Sequence, residues 1–187
     1  PQWGNVSLQG ATLVTGSVTG ALTGQVGTPS ATVNLTTKGT TDWVHWGLVN
    51  TASFDRKSGV TAQISNYASL GGGTAGHYDT NPTGYSWTDG TPTASATNSP
   101  SGLYITGLNK GFQITVPADT TTRTVHVHVG IWGARGKLEA TLSDSSAGAY
   151  VDTSVTDPGG SSDGLVRVYT LTYRAASVGQ TLTVNWT

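Results

Sequence analysis

The segment Arg123–Leu142, RTVHVHVGIWGARGKLEATL, constrains the fold more than any other stretch of the chain. Its first half alternates aliphatic residues with His126, His128, Gly130 and Trp132. A period of two is that of a β-strand, which turns successive side chains to opposite faces. The segment therefore predicts a strand with an aliphatic inner face and an outer face that carries two imidazoles and an indole.

A second strand follows a glycine-flanked turn in the same segment. The tetrapeptide GARG, residues 133–136, can turn the chain, and an apolar alternation resumes over residues 138–142. The simplest prediction is a β-hairpin with Trp132 and Arg135 at its tip.

Composition extends this prediction to the whole chain. Charged residues make up 10% of the 187 positions, against about 25% in an average globular domain. Thr, Ser, Val and 26 Gly take their place, and β-branched residues favour strands. We predict one all-β domain over residues 1–187, an antiparallel sandwich or jelly roll of about ten strands without a substantial helix. Residues 1–30 are typical of a lead-in arm or of edge strands.

Charge and cysteine content exclude several classes of function. The formal net charge of −1 provides no field that would attract nucleic acid or an anionic membrane. No apolar run is long enough to span a bilayer. The chain has no Cys, which excludes disulfides and Cys-ligated zinc. Low charge with abundant Thr, Ser and Gly is typical of extracellular domains, so we expect a secreted or cell-surface protein.

Four motifs, in order, resemble a known kind of domain: GTTDWVHWGL, YSWTDGTP, GFQITVPADTTTRTV and VGIWGARGKLEATLSD. From about Val33 to the C-terminus the chain resembles an accessory β-sandwich domain of large secreted bacterial proteins. The resemblance implies a galactose-binding-like jelly roll of the carbohydrate-binding-module type. It also implies neighbouring catalytic or adhesive domains in a parent protein.

Aromatic composition favours sugar binding. Pyranose C–H faces stack on aromatic rings, and sugar hydroxyls need polar side chains beside the ring. The chain has six Trp and two Phe, and Trp46 and Trp186 share strand faces with aliphatic residues, so we expect those two in the core. The remaining candidates supply the predicted polysaccharide or oligosaccharide site. They are Trp132, Trp43 and Trp87 for stacking, and Arg135, His45, His128 and Asp89 for polar contacts.

A metal site is the competing interpretation of the His-x-His pair. His126 and His128 share a strand face, which suits zinc or copper. By parity Glu139 faces outward across the predicted turn, and His45 could supply a third ligand. A metal-dependent enzyme is thus an open alternative, and a solvated sheet face is the other.

Nothing else in the sequence indicates catalysis. The strand–elbow–helix context that a G-x-S-x-G nucleophile elbow needs is absent from the sequence pattern. Several acids lie in turn-like segments whose oxygens also suit structural Ca²⁺: Asp144, Asp152, Asp157 and Asp163. We therefore predict a non-catalytic carbohydrate-binding module that needs no cofactor. A structural or adhesive spacer without a small ligand is the alternative from another class.

Overall fold

The computed structural model describes residues 10–12, 16, 18–159 and 164–187. Within these residues the chain forms sixteen strands and one four-residue helix, which confirms the all-β prediction with more strands than the ten expected. The elements are β1 Ala21–Gly27, β2 Thr32–Asn34, α1 Leu35–Lys38, β3 Val44–Trp46, β4 Phe54–Lys57, β5 Ala68–Leu70, β6 Gly76–Tyr78, β7 Gly84–Trp87, β8 Gly90–Thr91, β9 Ala96–Ser99, β10 Gly102–Tyr104, β11 Gly111–Ala118, β12 Arg123–Ile131, β13 Leu138–Leu142, β14 Tyr150–Asp152, β15 Leu165–Arg174 and β16 Gln180–Trp186. No helix among the described residues has the length and apolarity to cross a membrane.

Two antiparallel sheets form the main body. One has the strand order β1-β15-β12 and the other the order β14-β13-β16-β11-β5. Their inner faces meet in one hydrophobic core, to which the first sheet contributes Tyr169 and Leu171 and the second Leu138, Leu182 and Val184. Two sheets that share a core between them make a β-sandwich.

The predicted hairpin is wrong in its pairing, although both of its strands exist. β12 pairs with β15, whereas β13 pairs with β14 and β16, so the two strands belong to different sheets. Residues 132–137 therefore cross from one sheet of the sandwich to the other. Alternation could not reveal this, because a strand has one face in the core whichever sheet it joins.

A second, smaller lobe is built from residues 32–104 except for β5, which belongs to the five-stranded sheet. It contains the small sheets β2-β7-β9, β3-β4-β8 and β10-β6. It has its own core, made of Val33, Leu35, Trp43, Tyr85 and Trp87. Most of the aromatic residues that the sequence offered as sugar contacts lie in this lobe.

Candidate functional site

The structure divides the seven predicted site residues between two places. Trp132 and Arg135 lie on the loop that crosses between the sheets. The other five are connected through the smaller lobe: His45 and His128 contact Tyr85, Trp87 contacts His45 and Trp43, and Asp89 accepts a hydrogen bond from Trp43.

Trp132 is exposed on the crossing loop, with 74% of its surface accessible. The loop is held by Asp157, which is a buried residue. Asp157 Oδ2 accepts a hydrogen bond from the Gly133 backbone N–H at 2.9 Å, and Oδ1 accepts one from the Gly159 N–H at 3.2 Å. A buried carboxylate that accepts backbone hydrogen bonds holds its loop in one conformation. The indole is therefore displayed by an ordered loop.

Arg135 is exposed on the same loop and is anchored through the backbone. It forms an isolated antiparallel bridge with Thr156. The Gly136 N–H donates to Val155 O at 3.0 Å, and the Asp157 N–H donates to Ala134 O at 2.9 Å. The backbone that carries Arg135 is therefore ordered, while its guanidinium faces solvent.

Gly136 is required at its position by the neighbouring indole. A Cβ at this glycine would lie 2.0 Å from a ring carbon of Trp186. Trp186 itself is partly buried and packs against the main core, and its Nε1 donates to Gly130 O at 3.2 Å. The crossing loop thus packs directly on the end of the sandwich.

Trp43 and Trp87 do not form a surface for stacking. Their exposed fractions are 3% and 0%, and their ring centroids lie 5.2 Å apart in the core of the smaller lobe. The expectation that these two indoles stack on sugar rings does not agree with their burial. Their N–H groups are used internally, since Trp43 Nε1 donates to Asp89 Oδ1 at 2.9 Å and Trp87 Nε1 donates to Thr93 O at 2.9 Å.

Asp89 connects several parts of the smaller lobe. It accepts from Thr36 Oγ1 at 2.6 Å as well as from Trp43, and it pairs with Lys57 Nζ at 2.5 Å. Burial raises the pKa of this carboxyl, but the hydrogen bonds from Lys57, Thr36 and Trp43 outweigh burial and lower the pKa overall. This network gives Asp89 a structural role, because its oxygens are already engaged by the protein.

His45 and His128 both pack against Tyr85, and the contact of His128 joins the lobe to the sandwich. The ring centroid of Tyr85 lies 5.5 Å from that of His45 and 5.4 Å from that of His128, which projects from β12. The Nδ1 atoms of both imidazoles are buried without a hydrogen-bond partner. Contacts of this kind suit neutral rings and oppose protonation.

Burial lowers the pKa of both imidazoles. For His45 the pKa falls to about 4 despite the nearby Asp55 carboxylate and the Ser101 backbone, both of which raise it. For His128 the pKa also falls to about 4, through burial first and then through the charge of His126. Neither ring is placed for the polar sugar contact expected from the sequence.

The ligands expected for a metal site do not converge. His126 is exposed, and its Nδ1 lies 3.0 Å from Thr170 Oγ1, whereas His128 faces Tyr85. Glu139 lies on the other sheet and pairs with Lys137 at 2.6 Å. In the described ranges no three His, Cys, Asp or Glu side chains are grouped as metal ligands.

The acidic turn residues stabilise loops, as their sequence positions suggested. Asp144 Oδ1 accepts from the Ser146 N–H and hydroxyl, and Asp152 Oδ1 accepts from the Ser154 N–H and hydroxyl. Asp163, offered with them as a Ca²⁺ ligand, lies outside the described residues. The sequence did not predict that Asp157 orders the loop that carries Trp132, because its partner Gly133 lies 24 positions away in the chain.

Comparison of the chain with protein-family models, with curated proteins and with solved structures finds no match. The resemblance to carbohydrate-binding-module-type domains therefore remains a prediction from the four motifs.

Proposed function

We propose that this chain is a non-catalytic carbohydrate-binding module of a secreted multidomain protein, and that Trp132 and Arg135 form its glycan contact. The observation that carries the proposal is the exposed indole of Trp132 on an ordered loop. An exposed aromatic ring on a pre-ordered backbone loses little conformational entropy on binding, and a pyranose C–H face is a suitable partner. Arg135, three positions along the same loop, adds hydrogen-bond donors for sugar hydroxyls.

Affinity gel electrophoresis through a panel of soluble polysaccharides tests the proposal directly. The wild type is expected to be retarded by at least one glycan. The Trp132→Ala variant should bind about tenfold more weakly or worse, which corresponds to about 1.4 kcal/mol or more. Leu108→Ala is the matched control, since Leu108 is another large apolar residue that is highly exposed, at 90%.

The outcomes separate the classes of function. Retardation that Trp132→Ala abolishes and Leu108→Ala preserves supports the module. Absence of retardation on every glycan, or retardation that Trp132→Ala leaves unchanged, refutes the Trp132 contact. The first of those two results is what a structural or adhesive spacer predicts.

A further inference from the structure

A concave surface lies away from Trp132, between the smaller lobe and the five-stranded sheet. It is a cleft of about 250 Å³. One wall is formed by Arg56 and by residues 62–66, and the other by residues 115–117 of β11 with Thr181 of β16. None of these residues was a candidate in the sequence.

Asp42 holds the first wall in place. Its side chain is only 2% exposed, and its Oδ2 accepts from Arg56 Nη2 at 2.8 Å, from the Gln63 N–H at 2.7 Å and from the Ile64 N–H at 3.0 Å. A buried carboxylate with three charge-assisted or backbone donors fixes all of its partners. The arginine and the 63–64 backbone are therefore positioned before any ligand arrives.

The two walls are also joined to each other. The Ser65 N–H donates to Thr115 O at 3.0 Å, and the Thr115 N–H donates to Ser65 Oγ at 2.9 Å. Because both bonds connect the 62–66 segment to β11, the width of the cleft is set by the fold. A preformed cleft of this kind avoids the ordering cost that weakens binding to mobile loops.

Internal hydrogen bonds determine which polar atoms the cleft offers. Asn66 Oδ1 already accepts from Trp46 Nε1 at 2.7 Å and from the Tyr67 N–H at 2.8 Å, so Asn66 offers its Nδ2 donors. Gln63 Nε2 donates to Thr61 O at 3.3 Å, so Gln63 offers its Oε1 acceptor.

Arg56 adds further donors. Its guanidinium carries five N–H groups, is tied to Asp42 through Nη2, and lies 5.8 Å from the ring centroid of Phe54. Thr115 and Thr181 also line the cleft and carry hydroxyls that both donate and accept. The residues that line the cleft thus supply both donors and acceptors.

The charge of the cleft selects the ligand class. Arg56 is the one charged side chain among the lining residues, all of which are described, and Asp42 neutralises it at 2.8 Å. A neutral cleft that offers both donors and acceptors matches a ligand in which every hydroxyl does both. We propose that the cleft binds one neutral monosaccharide unit. Its volume lies below the range of about 300–1,000 Å³ typical of larger ligands.

This subsite is separate from the Trp132 contact. One end of β11 lies near the crossing loop: Phe112 pairs with Trp186, and the Trp186 indole donates to Gly130 O. The other end lies at the cleft, where Pro117 pairs with Thr181. The path along β11 from Phe112 to Pro117 is about 17 Å at the usual rise per residue. The cleft therefore goes beyond the proposed function, and each surface is tested by its own variant.

Two-dimensional ¹H–¹⁵N NMR titration with methyl glycosides of neutral hexoses and pentoses tests the subsite. A single sugar unit is expected to bind with a Kd of about 1–10 mM, so the titration runs to about 50 mM. The backbone amides of Gln63, Ile64, Ser65 and Thr115 should shift and saturate. Ala62→Tyr, at an exposed position that lines the cleft, should abolish these shifts, and Ala149→Tyr at an exposed position elsewhere should preserve them.

A second variant covers the case in which Ala62→Tyr disturbs folding. Thr181→Val keeps the shape of the exposed Thr181 side chain and removes its hydroxyl, and it should weaken binding several-fold. Trp132→Ala should leave the cleft shifts intact, which separates this subsite from the Trp132 contact. Methyl glucuronide is the charged comparison ligand in the titration. The proposal is overturned if no neutral glycoside shifts the cleft amides, or if only the glucuronide binds. It is also overturned if Ala62→Tyr leaves the shifts unchanged in a folded protein.

Discussion

Acidification is expected to weaken the folded state through His45 and His128. Both imidazoles have a pKa of about 4 in the folded protein, against an ordinary value of 6.5. Below pH 6.5 the two imidazoles bind protons in the unfolded chain but remain neutral in the folded protein. The free energy of unfolding therefore falls as the pH drops toward 4. Each pKa unit corresponds to 1.36 kcal/mol, which makes about 3 kcal/mol per imidazole and about 6 kcal/mol for the pair. That loss is comparable with the whole stability of many domains, about 5–15 kcal/mol.

Urea unfolding followed by tryptophan fluorescence, at about pH 7.5 and pH 4.5, measures this loss. At pH 4.5 the carboxyls with lowered pKa values, such as Asp89 and Asp144, have lost only a small part of their contribution, because most of that loss occurs below their ordinary pKa of 3.8. Asp55 is the charged group that faces His45, and His126 is the one that faces His128. Their contributions are already included in the two pKa values.

Single variants assign the effect to each ring. His128→Leu removes an imidazole whose buried Nδ1 has no partner, and it should reduce the loss on acidification by about half, or about 2–3 kcal/mol over this pH interval. Thr124→Leu, at an exposed position on the same strand without a titratable group, is the matched control. A stability that is unchanged between the two pH values, or a loss that His45→Leu and His128→Leu both leave intact, contradicts the reasoning.

Three further changes test other parts of the structure by urea unfolding. Trp87→Ala should lower the free energy of unfolding by about 3–5 kcal/mol, because it empties the centre of the smaller core. The control Leu108→Ala, at an exposed position, should lower it by less than about 0.5 kcal/mol. Equal effects would contradict the described burial. Gly136→Ala should lower the free energy of unfolding by about 1–3 kcal/mol, because the added Cβ meets the Trp186 ring. The control Gly148→Ala should change it little, because no atom lies within 4 Å of the added Cβ. If Gly136→Ala has no effect, the crossing loop does not pack as described. Asp157→Ala should lower the free energy of unfolding by about 1–3 kcal/mol, because it removes the acceptor for the Gly133 N–H. It should also weaken glycan retardation. Retention of wild-type retardation would show that loop order is not needed for binding.

The sequence predicted the strands well where the two faces of a strand differ in polarity. Leu182 and Val184 of β16 alternate with Thr residues and lie in the core, as expected. The aliphatic face of β12 also points inward, with Val125 and Val129 buried. In these strands polarity and burial carry the same information, so the period of two was sufficient.

The same reasoning failed where both faces of a strand are apolar. In DWVHWGL one face carries Trp43 and His45, and the other carries Val44 and Trp46. Trp46 shares its face with aliphatic residues and was expected in the core, yet it is only partly buried and packs edge-on against Tyr67, while Trp43 is buried. Alternation separates the two faces of such a strand but does not indicate which one lies inside.

Contacts between distant parts of the chain could not be predicted from the sequence for a different reason. Asp157 bonds to Gly133, and Asp42 bonds to Arg56 and Gln63, through side-chain geometry that no local pattern encodes. Both carboxylates resemble ordinary turn or strand-end residues in the sequence. Their importance follows from burial, which depends on the completed fold.

The central place of β16 has a consequence for the order of folding. This strand lies between β13 and β11, although it follows both of them in the chain. Until residues 180–186 have been synthesised, β11 and β13 each lack the neighbour that satisfies their backbone groups. Unpaired strand edges of this kind readily associate with other chains. Nascent chains that end before β16 should therefore be the species most prone to aggregate, and insertion of β16 between its two neighbours should complete the sheet.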